Sequence, residues 1–254
     1  MTSISRRYFV AITGAALAVP SIPLGRQRPQ SNVPPLVDQV PPMLDHILLG
    51  CNDLQLGIDF VEQHTGVRAA FGGSHPGRGT QNALLSLDTS VSGEKGRYLE
   101  IIAPDPKQST SSSELSCKLK TLTEPRLVAW AARPGDIQVL ADDLAKAGIA
   151  AEGPTAGSRK RPDGGVLHWK TLRLKDDANG LLPFFIEWSV DSPHPSADAP
   201  PGCQLLGFEL LTPDPAALAK ITTQLKLKVP VAKGASPKLY AVIKGPERKL
   251  SLTS

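Results

Sequence analysis

Met43-Leu44-Asp45-His46-Ile47-Leu48-Leu49 and Tyr98-Leu99-Glu100-Ile101-Ile102-Ala103-Pro104 are the two stretches on which the reading of this chain turns. Both are apolar runs of strand length bounded by turn residues. Each is punctuated by ionisable side chains, and burying such a group without a partner is expensive. His46 and Glu100 are therefore candidate functional residues. The competing readings are a strand-end histidine bonded to backbone and a carboxylate paired with a Lys or Arg on the sheet face. Between the two runs, segment 54–64 has helical periodicity, with Asn52 or Asp53 as N-cap and Thr65-Gly66 as its stop. A short strand at 67–71, a Gly-rich loop at 72–79 and a strand at 83–87 complete the order βαβββ over residues 43–106.

The same order recurs. Leu127–Ala132 reads as a strand, 137–147 as a helix capped by Asp136, 150–156 and 166–174 as strands, and 183–188 as the last strand. Asp53 to Asp136 spans 83 residues, and Glu100 to Glu187 and Leu87 to Leu174 both span 87. A near-constant offset between like elements marks an internal duplication, with the second unit at 125–189. A Pro/Ser/Ala-rich connector covers 190–204. A third, partial unit follows at 205–254, with Asp214-Pro215 opening its helix. The loop Gly157-Ser158-Arg159-Lys160-Arg161 reads as solvated, or as a gate for an anionic ligand opposite the first Gly-rich loop.

Residues 1–25 have the layout of an export signal: Arg6-Arg7 precede an uncharged apolar run with small residues. The paired arginines resemble a bacterial twin-arginine signal, which implies a periplasmic or secreted protein. An uncleaved membrane anchor is the competing reading, but the run is short for a membrane span, so no stable span is expected after cleavage. Residues 26–42 are Pro-rich and read as an extended linker. The 41% apolar and 20% charged fractions fit a globular chain with an ample core. A net charge of +4 with no basic stripe and interleaved aromatics argues against nucleic acid as a partner. Cys51, Cys117 and Cys203 have no CxxC spacing, so they give no zinc signal; one disulfide among them is an open expectation.

The residues resemble the vicinal oxygen chelate superfamily, and within it the glyoxalase-like domain proteins. The carriers are Leu44-Asp45-His46-Ile47, then His75-Pro76-Gly77-Arg78-Gly79-Thr80-Gln81-Asn82-Ala83-Leu84, then Tyr98-Leu99-Glu100-Ile101-Ile102-Ala103. The resemblance implies an α+β fold of tandem βαβββ units, with curved mixed sheets around a cleft. It implies a divalent metal ion (Fe, Mn, Zn or Ni) on His46, Glu100 and Glu187. Glu100 and Glu187 would also be catalytic, in a metal-dependent lyase, isomerase or dioxygenase acting on a small oxygen-rich molecule. The second unit's first strand has Ala129 where a ligand would fall, and the third unit has Phe208 and Ser251, so the metal set is incomplete.

For substrate contact the candidates are His75, Arg78, Asn82, His168 and Trp188. Arg78 suits an anion, since guanidinium and carboxylate pair bidentately; a plain surface turn is the competing reading. His168 is held as a replacement metal ligand. His64 and His194 read as surface residues. A small-molecule partner is expected, and a homodimer is left open. Beside the enzyme stands a second reading, a non-catalytic binding protein on the same fold. A purely structural role is the third.

Overall fold

The computed structural model describes residues 40–87, 96–108 and 113–254. The Arg6-Arg7 signal and nearly all of the 26–42 linker lie outside the described residues. The elements run β1 (Leu44–Gly50), α1 (Leu54–Thr65), β2 (Ala70–His75), β3 (Thr80–Ser86) and β4 (Tyr98–Pro104). Then come α2 (Glu114–Lys120), β5 (Arg126–Ala132), α3 (Ile137–Lys146), β6 (Ala151–Lys160), β7 (Val166–Leu174) and β8 (Phe184–Trp188). The last set is β9 (Gln204–Thr212), α4 (Pro215–Gln224), β10 (Val231–Lys233), β11 (Lys238–Lys244) and β12 (Lys249–Thr253). Helix starts are written in side chains. The carboxylate of Asp53 accepts from the Leu56 N–H at 3.0 Å, and that of Asp214 from Ala217 at 3.0 Å. Gly66 ends α1 at φ +81, a conformation that a Cβ would strain.

The first eight strands make one mixed sheet in the order β2-β3-β4-β1-β5-β8-β7-β6. Each half pairs its first strand in parallel with its fourth, β1 with β4 and β5 with β8. The halves join where β1 and β5 run antiparallel. The fold is thus the α+β, glyoxalase-like arrangement of two βαβββ halves, fused into a single curled sheet. Period-two alternation divides its faces. Ile47, Leu49, Leu99 and Ile101 pack outward with Ile58 and Val61 of α1. His46, Leu48, Tyr98, Glu100 and Ile102 line the inner cleft.

Two segments differ from the sequence reading. Gly72 to His75 belong to β2, and 157–160 to β6, so neither stretch is a loop. The glycines serve close packing. A Cβ on Gly72 would stand 2.5 Å from Asn82 Oδ1, and one on Gly157 2.5 Å from Trp169 Nε1. A Cβ on Gly73 would meet the Lys160 carbonyl O at 2.6 Å, so the edge strands β2 and β6 curl round to face each other. The charged residues 159–160 lie on this seam and not in a solvated loop. All three cysteines are free thiols, Cys51 and Cys203 buried and Cys117 exposed.

The third set repeats the element order but not the pairing. Its sheet is β10-β9-β11-β12, with β9 parallel to β10, its nearest following strand. In the first two units that parallel partner is the last strand. This sheet contributes to the core on the outer face, where Phe208 and Trp130 are both fully buried with ring centroids 5.1 Å apart. The Trp130 indole N–H donates to the Leu181 carbonyl at 2.8 Å, so its burial leaves no polar group unpaired. Burying aromatics of this size contributes roughly 1.5–3 kcal/mol each.

Candidate functional site: a buried His–Glu pair in a cationic cleft

The site begins with a β-bulge. In the β1–β5 ladder Leu44 faces Ala132 and His46 faces Ala131, so Asp45 is the extra residue. A bulge bends the strand and re-aims a side chain. Here it brings the Asp45 carboxylate beside the ring of its own neighbour, with His46 Nδ1 2.7 Å from Asp45 Oδ1. Asp45 is fully buried and serves several donors. Arg133 Nε donates to Oδ2 at 2.7 Å, the Trp188 indole N–H lies at 3.3 Å, and His194 Nε2 stands at 3.1 Å. Arg133 also donates to the Gly96 carbonyl at 2.7 Å. Burial opposes ionisation of Asp45, but the hydrogen bonds from His194 and His46 prevail, and its pKa lies far below the usual carboxylate range.

The other ring nitrogen of His46 faces Glu100, with Nε2 3.3 Å from Oε2. The ring is 2% exposed and stacks on Tyr98, with centroids 4.5 Å apart. Burial alone would pull its pKa down. Hydrogen bonding to Asp45 and Glu100 overrides burial and raises it to about 9. Glu100 behaves in the opposite sense: burial would raise it, but His46 brings it down to about 2. The two thus stand as a buried ion pair. Glu100 Oε1 accepts from Asn82 Nδ2 at 2.6 Å, and His75 Nε2 lies 3.7 Å from the same oxygen. His75 is held from behind by Thr80, Nδ1 to Oγ1 at 2.9 Å. Burial and nearby positive charge lower its pKa despite the attraction of Glu100, which favours the neutral form of His75.

Arg78, Arg159 and Arg173 also line the cleft, with Trp169, Thr171, Phe184 and Trp188 on the far wall. Arg173 lies over the Phe184 ring at 4.5 Å. No carboxylate of a described residue pairs with any of these three guanidinium groups. Among the described residues Glu100 is the one carboxylate lining the cleft, and His46 already neutralises it. The cleft therefore carries net positive charge and suits an anion.

The structure brings His46, His75, Arg78, Asn82, Glu100 and Trp188 to one cleft. It does not bring Glu187 or His168. Cleft-facing residues on β8 are Phe184, Ile186 and Trp188, so Glu187 points the other way. Its Oε2 accepts the Ile137 N–H at 2.8 Å and caps α3 together with Asp136. The 87-residue offset is one too long for the right parity: Ile186, not Glu187, faces the cleft as Glu100 does in the first half. His168 alternates away from Trp169 and Thr171 on β7 and is exposed, opening on a separate hollow shared with His75 and Arg78. The expected ligand set therefore does not assemble. Among the described residues no group of three or more His, Cys, Asp or Glu side chains could hold an ion. The surrounding arginines also oppose a cation, so the residues present do not fit the metal centre that the resemblance implied.

Several residues of the site escaped the sequence reading. Asp45 stood in the quoted motif, but only the bulge reveals that it turns inward. His194 is part-buried against Asp45 and is not a surface residue. Arg133 carries no sequence signal. The sequence reading weighs Arg159 only as part of a loop, solvated or gating an anion; as a strand, 157–160 separates it by alternation from Lys160 and turns it alone into the cleft.

The family model described as a glyoxalase-like domain matches residues 44–226. The chain belongs to the glyoxalase-like domain family. That match takes in both βαβββ halves and reaches into the third set. Among solved structures, a hypothetical protein from Staphylococcus aureus is similar with a TM-score of 0.54 at 13% identity, over 83% of this chain and 84% of that one. A Streptomyces coelicolor methylmalonyl-CoA epimerase is similar at 21% identity with a TM-score of 0.42, over 57% of this chain and 95% of that one. The first likeness concerns the fold alone, and the second is too low to argue from. A search of curated proteins returned no match.

Proposed function

We propose that this glyoxalase-like domain protein moves a proton at a carbon next to a carbonyl in a small, oxygen-rich anion. The observation that supports the reading is the pair of histidines around Glu100. His46 is driven to the charged form and His75 to the neutral form within one cleft. Titratable neighbours whose environments push their pKa values apart make an acid and a base. In this reading His75 Nε2 takes the proton, since Thr80 engages its Nδ1. His46, fixed by Asp45, donates a hydrogen bond to the carbonyl oxygen as negative charge develops there. Glu100 holds His46 in its charged form in the resting site and yields that contact to the substrate oxygen. Arg78, Arg159 and Arg173 bind the anion.

The test is solvent-deuterium incorporation, followed by proton NMR, across a panel of α-oxo, α-hydroxy and malonyl-type acids. It is run with and without added Mn, Ni, Zn or Fe. Wild-type protein should exchange at least one panel member without a metal requirement. His75→Gln and His46→Gln should each lower the rate about 10²–10⁴-fold. A second reading, ligand binding without chemistry, is favoured by Ala129, Ala131 and Ile186, which leave the second half without proton-handling groups. Binding with no exchange of any panel member would select it.

A further inference from the structure

Arg159 is 4% exposed, yet its Nη1 has no hydrogen-bond partner. An unpaired buried guanidinium is costly, and its pKa is lowered by burial. Asn82 Oδ1, a buried acceptor, is likewise unpartnered, although its Nδ2 serves Glu100. The two atoms flank one glycine: an ideal Cβ on Gly72 would lie 2.5 Å from Asn82 Oδ1 and 3.1 Å from Arg159 Nη1. Any side chain at Gly72 would collide with Asn82 and crowd Arg159, so glycine is what lets both groups come this near. So a donor in need of an acceptor and an acceptor in need of a donor stand near each other beside a glycine, and both side chains line the cleft. Arg159 also borders a second cavity of about 200 Å³ beside the cleft, whose apolar lining includes Ala70, Phe71, Leu84 and Leu167. Phe71 is 50% exposed at this cavity. Arg161, on the same cavity, is already engaged by Asp163 at 2.9 Å and Asp198 at 2.8 Å.

We propose that Arg159 and Asn82 form a seat for an α-hydroxy carboxylate bearing a short apolar chain, with the chain lodged in the side cavity. The carboxylate supplies the acceptor for Arg159 Nη1, and the hydroxyl supplies the donor for Asn82 Oδ1. The seat adjoins Glu100 through Asn82, which places the α-carbon of such a ligand within the cleft. This inference deepens the proton-transfer reading above by naming its substrate class. It is tested by binding to Arg159 and Asn82, whereas that reading is tested by exchange at the histidines.

The experiment is equilibrium titration followed by tryptophan fluorescence, because Trp169 and Trp188 line the cleft while Trp130 is buried behind the sheet. The probes are lactate, α-hydroxyhexanoate, hexanoate, α-hydroxyhexanamide and inorganic phosphate. The expected order has α-hydroxyhexanoate tightest. Each added methylene should tighten binding up to about four-fold while the cavity has room. Removing the charge or the hydroxyl should weaken binding about ten-fold. Arg159→Met should weaken α-hydroxyhexanoate at least ten-fold while retaining wild-type thermal stability, and Arg159→Lys should recover part of the loss. In Asn82→Ala, hexanoate and α-hydroxyhexanoate should bind alike. Lys160→Met, one residue away on the other side of the strand, should change affinity less than two-fold.

Equal binding of α-hydroxyhexanoate by wild type and Arg159→Met overturns the proposal. Tightest binding of phosphate overturns it in favour of a plain anion site. If Arg159-dependent binding is found but no ligand exchanges deuterium, the seat stands and the proton-transfer reading falls. If exchange proceeds and ignores Arg159, the reverse holds.

Discussion

Asp45→Asn preserves the shape of the side chain and removes its charge, which makes it the sharpest probe of the site's architecture. The carboxylate is fully buried, with His46 Nδ1 and Arg133 Nε both at 2.7 Å. Taking one partner from a buried ion pair costs about 3–5 kcal/mol, because the other charge is left uncompensated. The amide can still accept one hydrogen bond, so ~3 kcal/mol is expected. In a domain of this size 1 kcal/mol moves Tm by about 2–4 °C, which gives a fall of about 6–12 °C. A second effect separates this account from a generic core defect. His46 loses one of the two partners that hold its pKa at about 9, so its ring should titrate at lower pH. Thermal melts by circular dichroism and an NMR titration of the His46 ring measure both. A loss under ~1 kcal/mol, with His46 still titrating near 9, would refute the idea that Asp45 organises the site.

Other perturbations test separate parts of the argument. Glu187→Gln should cost only the ~1 kcal/mol of a weakened helix cap, read from a thermal melt, and leave ligand affinity unchanged; loss of affinity would return Glu187 to the site. His46 has a folded pKa raised from 6.5 to about 9, so its contribution is full below 6.5 and lost as pH climbs through 9. Denaturant melts across that window should show the decline in wild type and not in His46→Gln. Glu100, depressed from 4.5 to about 2, contributes above 4.5 and loses its share as pH falls toward 2, a loss that Glu100→Gln should lack. Mass spectrometry of the mature protein from its native host should show a chain lacking at least residues 1–18; an intact N-terminus in the cytoplasm would reject export.

The fold was legible because its signals are local and repeated. Asp53, Asp136 and Asp214 each open a helix, as capping chemistry requires, and the apolar runs between turn residues became strands. Glycine misled where tertiary packing overrode propensity: Gly72, Gly73 and Gly157 looked like loop residues, but they thin the sheet where other groups press close. At the site, motif residues His46, Glu100, His75 and Asn82 were readable because they belong to one unit whose strand order fixes their facing. Glu187 failed on parity, since an offset measured along the chain cannot say which face of a strand a side chain takes. Asp45, Arg133 and His194 meet only because a bulge, a second-unit strand end and the connector converge, and no spacing in the chain encodes that.

The division of the sheet into a half bearing both cleft histidines and a half bearing Ile186 and two alanines has a stereochemical consequence. His46 and His75 both approach a bound molecule from the same half. Among the described residues the other half lines the cleft with hydrocarbon, indole, the Thr171 hydroxyl and the Arg159 and Arg173 guanidinium groups, but with no carboxylate or imidazole. A hydrogen lifted from a prochiral or chiral carbon can then be returned only to the face it left. Exchange at such a centre should proceed with retention of configuration, without racemisation, and label should enter a methylene group at one of its two positions alone. Handedness of the product would follow from the confinement of both imidazoles and the carboxylate to one of the two halves.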